Sequence, residues 1–370
     1  MSKIILVSSE FPPGPGGIGQ HAAGLSYALA YHGYNVDIYS SCDYADLQAI
    51  QEYQRRLPDK IILTPFKRAG WKTYIERIRV ILKVIKGTEY SRYIFTGKFP
   101  IWIGGLVKIL YTEKIKVESF VHGSEVNPSN FIIRNITHWA LGRADVIWAV
   151  SEFTRSLLPH KISLEKDVRV LPNGIYLDEW PEPASVKPFY DWKGQPKLLT
   201  VGSISRRKGQ HRVVKSLPEL IKRFPQLHYH IVGMDKDSKD LRNLVLDLNI
   251  DNHVTFHGRL KDKENLARAY KTADILMMLS ENQPDGDVEG FGIVVLEANL
   301  YGVPVLGAFG CGLEEAIQPG INGELVDGNN VDHISMSVKK LVEGRDSYRE
   351  TMKLWVEQHD WIVLSKTFLS

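Results

Sequence analysis

Short apolar runs rich in β-branched residues alternate with stretches of helical periodicity along this 370-residue chain. This alternation is typical of parallel sheets covered by helices, because a parallel strand needs a crossover connection to the next one. In the first half the strand-like runs are residues 4–7, 35–39, 61–63, 93–95, 117–121 and 146–150, and the helical stretches are 19–31, 71–86, 101–111 and 131–141. The first half therefore predicts one doubly wound α/β domain.

The alternation stops at residues 180–188, a proline-rich stretch that predicts a linker. It resumes with strand-like runs at residues 198–201, 229–232, 254–256, 275–278 and 304–306, and with helical stretches at 212–224, 241–248, 264–271 and 293–299. The length also favours two domains, at roughly 100–200 residues each. Since α/β sheets bind ligands at the carboxyl ends of their strands, we expect a site in a cleft between the halves.

The composition excludes several classes of protein. Hydrophobic residues make up 44% and charged residues 24%, which excludes a disordered, collagen-like or coiled-coil chain. The cysteines, Cys42 and Cys311, form neither a disulfide framework nor a metal-ligand pair, so a reducing setting is favoured. Without a signal-like segment or an apolar run near ~18 residues, we expect a cytoplasmic protein.

The net charge of +3 is distributed unevenly. Residues 51–120 hold 15 Lys or Arg and 6 Asp or Glu, a balance of +9, so the rest of the chain sums to −6. This basic region could contact anionic lipid, nucleic acid or an anionic substrate, or form a solvated face. Its helical segment 74–86 could lie on a bilayer through the cations Arg79, Lys83 and Lys86, or could simply pack its aliphatic residues into a domain.

Glycines follow the first strand-like run. Gly14, Gly16, Gly17 and Gly19 precede a helical stretch whose N-terminus would favour a phosphate group. Three of these glycines fit the G-x-G-x-x-G pattern of NAD and FAD proteins, but several residues including two prolines separate the pattern from its strand, unlike a dinucleotide fingerprint. An anion-binding loop is predicted, with a dinucleotide site as the alternative.

A second strand-loop-helix carries three cations, Arg206, Arg207 and Lys208, before Gly209. Fixed positive charge together with backbone N–H groups suits a nucleotide diphosphate, although the loop could also be a solvated basic turn. Lys208 is the strongest candidate, because the adjacent Gly209 relieves crowding where the helix begins.

Two glutamates, Glu289 and Glu297, stand eight residues apart around Gly290 and Gly292. The glycines break the helix between them, so both carboxylates could turn into one pocket and hold sugar hydroxyls. Nearby, Asp285-Gly286-Asp287 imitates the Asp-x-Asp of metal-dependent glycosyltransferases, whose single nucleotide domain does not fit two successive domains. We expect no metal.

Together these motifs resemble those of the retaining GT-B glycosyltransferases of family 4, over nearly the whole chain. In that family a nucleotide-sugar donor binds between two Rossmann-like domains. The motifs are Pro-Pro-x-x-Gly-Gly-x-Gly-x-His at residues 12–21, His122-Gly123, Val150-Ser151 before Thr154-Arg155, Leu171-Pro172-Asn173-Gly174, Arg207-Lys208-Gly209, the pair Glu289 and Glu297, and Gly320-Ile321-Asn322-Gly323.

The resemblance implies a donor site in which Lys208 and a neighbouring Arg neutralise the leaving diphosphate. Glu297 would hold the ribose, and Glu289 with the backbone after it would hold the sugar. The full set of implied donor contacts is Gly16, Gly17, Ser203, Arg206, Arg207, Lys208, Phe291, Gly292, Ile293, Val294 and Glu297.

His122 would lie at the reacting centre, with His21 and Asn173 near the acceptor, so the implied catalytic residues are His122, Glu289 and Lys208. No cofactor is implied, because cationic side chains replace the metal and the nucleotide-sugar is a substrate. The last helix, around Trp361, would cross back to the first domain. The predicted divisions are thus residues 1–180, 181–345 and 346–370.

The chain also departs from the family pattern. Ser203 stands where many relatives have an arginine, so Arg206 or Arg207 would have to substitute. Gly310-Cys311-Gly312 replaces a Gly-Gly pair, and Gly233-Met234-Asp235 lacks a second glycine at a position linked to base recognition.

The expected function is retaining transfer of a hexose to a glycan or lipid-linked acceptor in the synthesis of surface polysaccharide or glycolipid. The motif form favours GDP-mannose as donor, and a UDP-sugar is the alternative. We expect a cytoplasmic enzyme with peripheral membrane contact through residues 51–120 and no nucleic-acid partner. The alternatives are a nucleotide-sugar-binding protein without turnover and an NAD-dependent oxidoreductase.

Overall fold

A computed structural model describes residues 2–42, 45–66, 72–111, 114–235, 238–260 and 262–370. The chain divides into two compact units. The first contains Met1–Tyr176 and Trp361–Ser370, and the second contains Leu177–Asp360.

The first unit contains a parallel seven-stranded sheet in the order β3-β2-β1-β4-β5-β6-β7. Its strands are β1 (Lys3–Ser8), β2 (Asn35–Ser41), β3 (Ile61–Phe66), β4 (Arg92–Thr96), β5 (Val117–Val121), β6 (Val146–Ala149) and β7 (Asp167–Val170). Its helices are α1 (Gly17–Tyr31), α2 (Leu47–Arg56), α3 (Lys72–Gly87), α4 (Lys98–Tyr111), α5 (Phe131–Leu141), α6 (Glu152–Ser156), α7 (His160–Glu165) and α15 (Trp361–Leu369).

Strand β1 shows why this sheet is buried on both faces. Ile4 and Leu6 belong to the apolar cluster on one face, while Ile5 and Val7 belong to the cluster on the other. Successive side chains of a strand point to opposite faces, so a continuous apolar run serves both layers of helices. The strand order reverses at β1, between β2 and β4, which is where ligands bind in such sheets.

The second unit contains a parallel six-stranded sheet in the order β10-β9-β8-β11-β12-β13. Its strands are β8 (Lys197–Val201), β9 (His228–Val232), β10 (Val254–Gly258), β11 (Ile275–Met278), β12 (Val305–Ala308) and β13 (Gly323–Val326). Its helices are α8 (Gln210–Arg223), α9 (Ser238–Asp247), α10 (Lys263–Thr272), α11 (Val294–Leu300), α12 (Leu313–Ala316), α13 (Val331–Glu343) and α14 (Arg349–Gln358). Both units are thus Rossmann-like, and the expected α/β class is confirmed.

The final segment differs from the predicted division at residue 346. Helix α14 belongs to the second unit, and only the chain from Trp361 belongs to the first. Trp361 is buried, and its ring fills the space beside Gly24 of α1. The backbone N–H of Trp361 donates to the Ile175 carbonyl at 3.0 Å. The first unit also ends at Tyr176, four residues before the predicted boundary, because the segment that follows packs with the second unit.

Helix α3 packs into the first unit as a domain helix. Ile81 and Ile85 are buried in the core, and Ile78 and Leu82 pack against it. Trp71, which the sequence placed in this helix, lies outside the described residues. Among those that are described, no helix is both long and apolar enough to cross a membrane.

Candidate functional site

In the second unit, the loop from β8 to α8 depends on two glycines. Gly202 has a φ of 145°, and the Lys208 side chain passes 3.4 Å from the place where a Cβ would be. Gly209 has a φ of 72°, and a Cβ there would overlap the carbonyl of Leu279, the residue that follows β11. Gly202 is required by its backbone conformation and Gly209 by both its conformation and the lack of space, so the path of this loop depends on the two glycines.

Lys208 and Arg207 converge on the carboxylate of Glu289. The Glu289 Oε2 atom lies 2.6 Å from Lys208 Nζ and 2.6 Å from Arg207 Nη1. Arg207 Nε also contacts Asp287 Oδ2 at 3.1 Å. Glu289 is only 7% exposed, so its contacts with Lys208 and Arg207 are largely shielded from water, whereas the Asp287 side chain is 46% exposed.

The ionic cluster determines the charge state of its members. Burial by itself would raise the pKa of Glu289, but Lys208 and Arg207 outweigh it and lower that pKa below the ordinary range. Burial likewise opposes the charge of Arg207, and Glu289 and Asp287 raise its pKa in spite of it. At neutral pH the site therefore holds one buried carboxylate between two cations. The carboxylate can accept hydrogen bonds from sugar hydroxyls, and the cations can attract phosphate oxygens.

The neighbouring predicted residues take different positions. Arg206 is exposed, so Arg207 is the arginine that joins Lys208 at the carboxylate. Ser203 lies in the same loop, and its carbonyl accepts from Gln210 Nε2 at 3.2 Å. Which of the two arginines takes the role expected at the Ser203 position stays a prediction.

The chain after Glu289 makes the bend that the glycines predict. Gly292 has a φ of 92°, Phe291 is buried, and Ile293 precedes the first residue of α11, Val294. The Gly312 N–H donates to the Glu289 carbonyl at 2.8 Å, and a Cβ on Gly312 would overlap the Gly290 carbonyl. The Gly310-Cys311-Gly312 loop therefore supports the bend, and Cys311 is buried with a pKa that burial raises to about 12.

Glu297, on α11, bonds to a different partner from those of Glu289. The Tyr270 hydroxyl donates to Glu297 Oε2 at 2.6 Å, and the Tyr270 and Tyr301 rings are stacked at 6.2 Å. Burial raises the pKa of Glu297, with the Tyr270 bond and two lysines acting against it. Sequence reasoning missed Tyr270, because nothing in its local pattern links it to a glutamate 27 positions away.

In the first unit, the glycine loop leads directly into α1. Gly16 precedes the helix with a φ of 141°, and the Glu10 carboxylate occupies the space where a Cβ of Gly16 would be. Apart from its chain neighbours and the nearby backbone of α1, no described residue lies within 4 Å of a Cβ position on Gly17. Glu10, which the sequence analysis did not select, thus places negative charge near a helix N-terminus that favours an anion.

A second group in this unit consists of polar side chains, of which His21 and Asn173 are buried and His122 is half-buried. His21 Nδ1 lies 2.8 Å from Asn173 Oδ1, and the rings of His21 and His122 meet edge to face at 4.8 Å. His122 Nε2 lies 2.7 Å from Thr96 Oγ1, and its backbone N–H donates to the Glu125 carboxylate at 2.6 Å. The fold thus brings together His122, His21 and Asn173, three residues that come from well-separated motifs.

Burial keeps both histidines uncharged. It lowers the pKa of His21 to about 4, against a smaller opposing effect of the Asn173 bond, and it lowers the pKa of His122 well below 6.5. At neutral pH His122 therefore acts as a neutral hydrogen-bonding group. Glu125, another residue that sequence reasoning missed, is buried and has a pKa that burial raises; its position three residues after His122 was the available signal.

The described residues contain no group of three or more His, Cys, Asp or Glu side chains arranged to hold a metal ion. Asp285 and Asp287, the two aspartates of the Asp-x-Asp sequence, both bond to other protein groups. Asp285 Oδ1 accepts from the Asp287 backbone N–H at 3.1 Å, and Asp287 pairs with Arg207.

Two family models match the chain. Residues 15–179 match the model described as Glycosyltransferase Family 4, and residues 187–355 match the model described as Glycosyl transferases group 1. The chain is 29% identical over 357 residues to a GDP-mannose-dependent alpha-(1-6)-phosphatidylinositol monomannoside mannosyltransferase of Mycolicibacterium smegmatis. This match covers 92% of this chain and 89% of the relative. A Corynebacterium glutamicum mannosyltransferase for the monoacylated form of that acceptor is 25% identical over 350 residues, with 92% and 89% covered.

Solved structures share the fold. Sucrose-phosphate synthase from Thermosynechococcus elongatus superposes with a TM-score of 0.78 at 19% identity, covering 100% of this chain and 98% of that one. The Anabaena protein HepE in complex with UDP and glucose superposes with a TM-score of 0.74 at 17% identity, with the same coverage.

Proposed function

We propose that this chain, a hexosyltransferase that belongs to the two-domain GT-B glycosyltransferases, transfers mannose from GDP-mannose to a glycolipid acceptor with retention of anomeric configuration. The relatives named above are mannosyltransferases that depend on GDP-mannose and act on phosphatidylinositol monomannosides. With the glycosyltransferase family established, the oxidoreductase alternative drawn from the glycine pattern is withdrawn.

One observation supports this proposal most strongly: Lys208 and Arg207 meet on the buried carboxylate of Glu289. Breaking the bond between the sugar and the diphosphate leaves new negative charge on the diphosphate. Two fixed cations in a site shielded from water stabilise that charge without needing to reorganise. The carboxylate between them is ionised and can accept hydrogen bonds from the sugar.

The remaining roles follow from the environments of the side chains. Glu297, held by Tyr270, is placed to grip the ribose. His122, neutral and fixed by Thr96, supplies a hydrogen bond at the reacting centre, near His21 and Asn173 on the acceptor side. We propose no metal requirement, because Lys208 and Arg207 supply the positive charge that a divalent ion would supply.

We also propose that the enzyme is cytoplasmic and contacts an anionic membrane peripherally. Helix α3 buries one face and exposes Arg79, Lys83 and Lys86 on another. Several such cations close to an anionic surface attract it by about 1 kcal/mol each. A lipid-linked acceptor would be held at that surface.

The test is a thermal-shift panel with GDP, UDP, ADP, dTDP and NAD, with and without EDTA, followed by a transfer assay with GDP-mannose. A ligand that binds only the folded state stabilises it by about 2.7 kcal/mol at 100 times its Kd. We expect a shift with GDP that EDTA does not change and that Glu297→Ala removes, while Glu343→Ala, at an exposed glutamate of the same unit, keeps it.

Each other outcome has a definite meaning. A shift with UDP alone would replace the proposed donor, and a shift with NAD alone would contradict the donor site. Binding of GDP without any mannosyl transfer would favour the non-catalytic nucleotide-sugar-binding alternative. Loss of activity with EDTA would contradict the metal-independent mechanism.

A further inference from the structure

Glu125 is a buried carboxylate to which the proposed mechanism gives no role. It lies in the turn that follows β5, three residues after His122, and only 4% of it is exposed. A carboxylate is rarely buried to this extent unless hydrogen bonds or a nearby charge compensate for the lost water. The contacts of Glu125 therefore indicate why the fold places it there.

The side chain of Glu125 folds back onto the start of its own turn. Its Oε1 atom accepts the backbone N–H of His122 at 2.6 Å, and its own backbone N–H also bonds to the carboxylate. The Val126 N–H closes the same turn by donating to the Gly123 carbonyl at 3.0 Å. Gly123 has a φ of 121°, a conformation that other residues rarely adopt. Glu125 thus fixes the backbone at the point where the chain leaves β5.

His122 is therefore held at both its backbone and its ring. Glu125 bonds to the backbone, and Thr96, at the end of β4, bonds to Nε2 of the ring at 2.7 Å. The ring of His21, on α1, packs edge to face against the imidazole at 4.8 Å. With Nε2 engaged, Nδ1 is the ring nitrogen that can face a substrate. Its direction depends on the backbone as well as on the ring contacts, because the ring moves with its own Cα.

The charged groups that act on Glu125 are Lys98, the first residue of α4, and Glu10, in the loop before α1. Burial raises the pKa of Glu125, while the two backbone bonds and Lys98 lower it and Glu10 raises it. Either protonation state keeps an oxygen that accepts the His122 N–H, because a proton occupies only one of the two carboxyl oxygens. The contact with His122 therefore does not require the charge of Glu125.

A buried carboxylate close to a reacting centre could instead act as a general base. That role requires the carboxylate to reach the hydroxyl whose proton it takes. The Glu125 carboxylate meets two backbone N–H groups and is shielded from solvent. Its contacts are therefore those of a group that acts on His122.

We propose that Glu125 is a positioning residue, which sets the direction of the His122 imidazole through the backbone of the turn that both residues share. It influences the reaction through His122 and exchanges no proton with the substrate. This inference rests on the proposed function for the role of His122, whereas the contact between the two residues does not.

The experiment compares two variants of similar size in the full chain. Glu125→Gln keeps an oxygen that accepts the His122 N–H, whereas Glu125→Met keeps the volume without that oxygen. In steady-state transfer from GDP-mannose, kcat should fall by about 10- to 100-fold in Glu125→Met, the scale of a small misplacement, and by less than about threefold in Glu125→Gln. KM for GDP-mannose should stay unchanged in both variants. Glu165→Met, at an exposed glutamate of the same unit, should match the wild type.

The pH profile of kcat separates positioning from proton transfer. Glu125→Gln should keep the wild-type profile, because positioning needs the oxygen and not its titration. A general base at Glu125 would make Glu125→Gln lose as much kcat as Glu125→Met and would remove the acid limb of the profile. Either of these two results would overturn the proposal.

NMR of the chain labelled at histidine Cε1 follows the imidazole without reference to activity. The signal of His122, identified by its loss in His122→Gln, should shift in Glu125→Met and keep its position in Glu125→Gln. GDP-induced thermal stabilisation of each variant reports separately on folding and on the donor site. If Glu125→Met does not fold, Glu125→Ala takes its place with the same expectations.

An unmoved His122 signal or an unchanged kcat in the folded Glu125→Met variant would refute the inference and leave the proposed function standing. A tenfold loss of kcat in Glu125→Gln would refute it without any other variant. If the wild type transfers no mannose, the proposed function fails, and the NMR comparison still tests whether Glu125 positions His122.

Discussion

The two Rossmann-like units place chemically opposite groups in their loops. The first unit collects neutral, buried side chains around His21 and His122, and burial holds both histidines uncharged. The second unit collects ions, with Lys208 and Arg207 on the carboxylate of Glu289. The same sheet architecture thus supports an uncharged polar cluster in one unit and an ionic cluster in the other, because the loop side chains set the electrostatics.

The largest effect should come from removing the charge at the centre of the ionic cluster. Glu289→Gln keeps the shape of the side chain but leaves Lys208 and Arg207 without their carboxylate. We expect kcat for transfer to fall by about 100- to 1,000-fold, the scale of losing one preorganised electrostatic contact. Steady-state transfer assays measure this loss. Asp287→Asn, at a carboxylate with a 46% exposed side chain, is the matched control, and an equal loss there would break the contrast between buried and exposed charge.

As the pH falls, the stability contributed by His21 in the first unit should be lost before the stability contributed by Glu289 in the ionic cluster. The folded-state pKa of His21 is lowered to about 4, so its contribution to stability is present above pH 6.5 and is lost as the pH falls toward 4. For Glu289, whose pKa is lowered, the loss begins only below about pH 4.5. Between pH 6.5 and 4, this lowered pKa of His21 contributes about 3 kcal/mol to the free energy of unfolding, at 1.36 kcal/mol per pH unit.

Urea unfolding between pH 8 and 4.5 measures this dependence. The His21→Gln variant should lose free energy of unfolding less steeply below pH 6.5 than the wild type does. The exposed His160→Gln variant should keep the wild-type slope. Equal slopes for all three proteins would show that His21 titrates normally in the folded chain.

Within the β8–α8 loop, adjacent cations should differ in their effects. Lys208→Gln removes a charged group from the ionic cluster, and we expect GDP affinity to fall by roughly tenfold, in the range of a hydrogen bond to a charged group. Arg206→Gln, on the exposed arginine, should change GDP affinity by less than about twofold. Calorimetric titration with GDP measures both. A reversal of this order would mean that Arg206 turns inward when the nucleotide binds.

The Tyr270 hydroxyl should have a smaller effect. Tyr270→Phe removes the donor to Glu297 while keeping the stacked ring, and we expect the free energy of unfolding to fall by about 1–2 kcal/mol. Chemical denaturation measures the change, with Tyr190→Phe on an 82% exposed tyrosine as control. No difference between the variants would mean that Glu297 finds another donor.

The smallest effect on folding should come from the exposed cations of α3. Changing Arg79, Lys83 and Lys86 to Glu should alter the free energy of unfolding by less than about 0.5 kcal/mol per site, as is usual for surface positions. Binding to anionic vesicles, measured by cosedimentation, should nevertheless fall strongly. The same charge reversal at three exposed cations of α8, namely Lys215, Lys222 and Arg223, should leave vesicle binding intact if the first unit holds the membrane-facing surface.

Much of the fold could be predicted because buried parallel strands are continuous apolar runs. Elements with a weaker signal were missed. Helix α2 is mostly polar in sequence and buries only Ile50, and the edge strand β7 carries the charged pair Asp167 and Arg169. Helix α4 begins at Lys98, three residues before its apolar pattern. Its Pro100 sits in the first turn, where the missing N–H is not needed.

The candidate site divides in the same way. The glycines of the two loops and the residue types Lys208, Glu289 and Glu297 could be selected from the sequence, because their motifs are local. The partners of these side chains could not be selected. Three pairings depend on which helices, strands and loops are neighbours in the fold: Tyr270 with Glu297, Thr96 with His122, and Arg207 rather than Arg206 with Glu289.

The sequence by itself determined two α/β units, the glycine loops after their first strands and the uneven charge, since these depend on residues close together in the chain. Only the tertiary structure decided that His21, Asn173 and His122 meet, and that Glu289 is buried between two cations. The physical reason is that charge state, burial and proximity arise when distant segments exclude water from one another, and no local spacing encodes that exclusion.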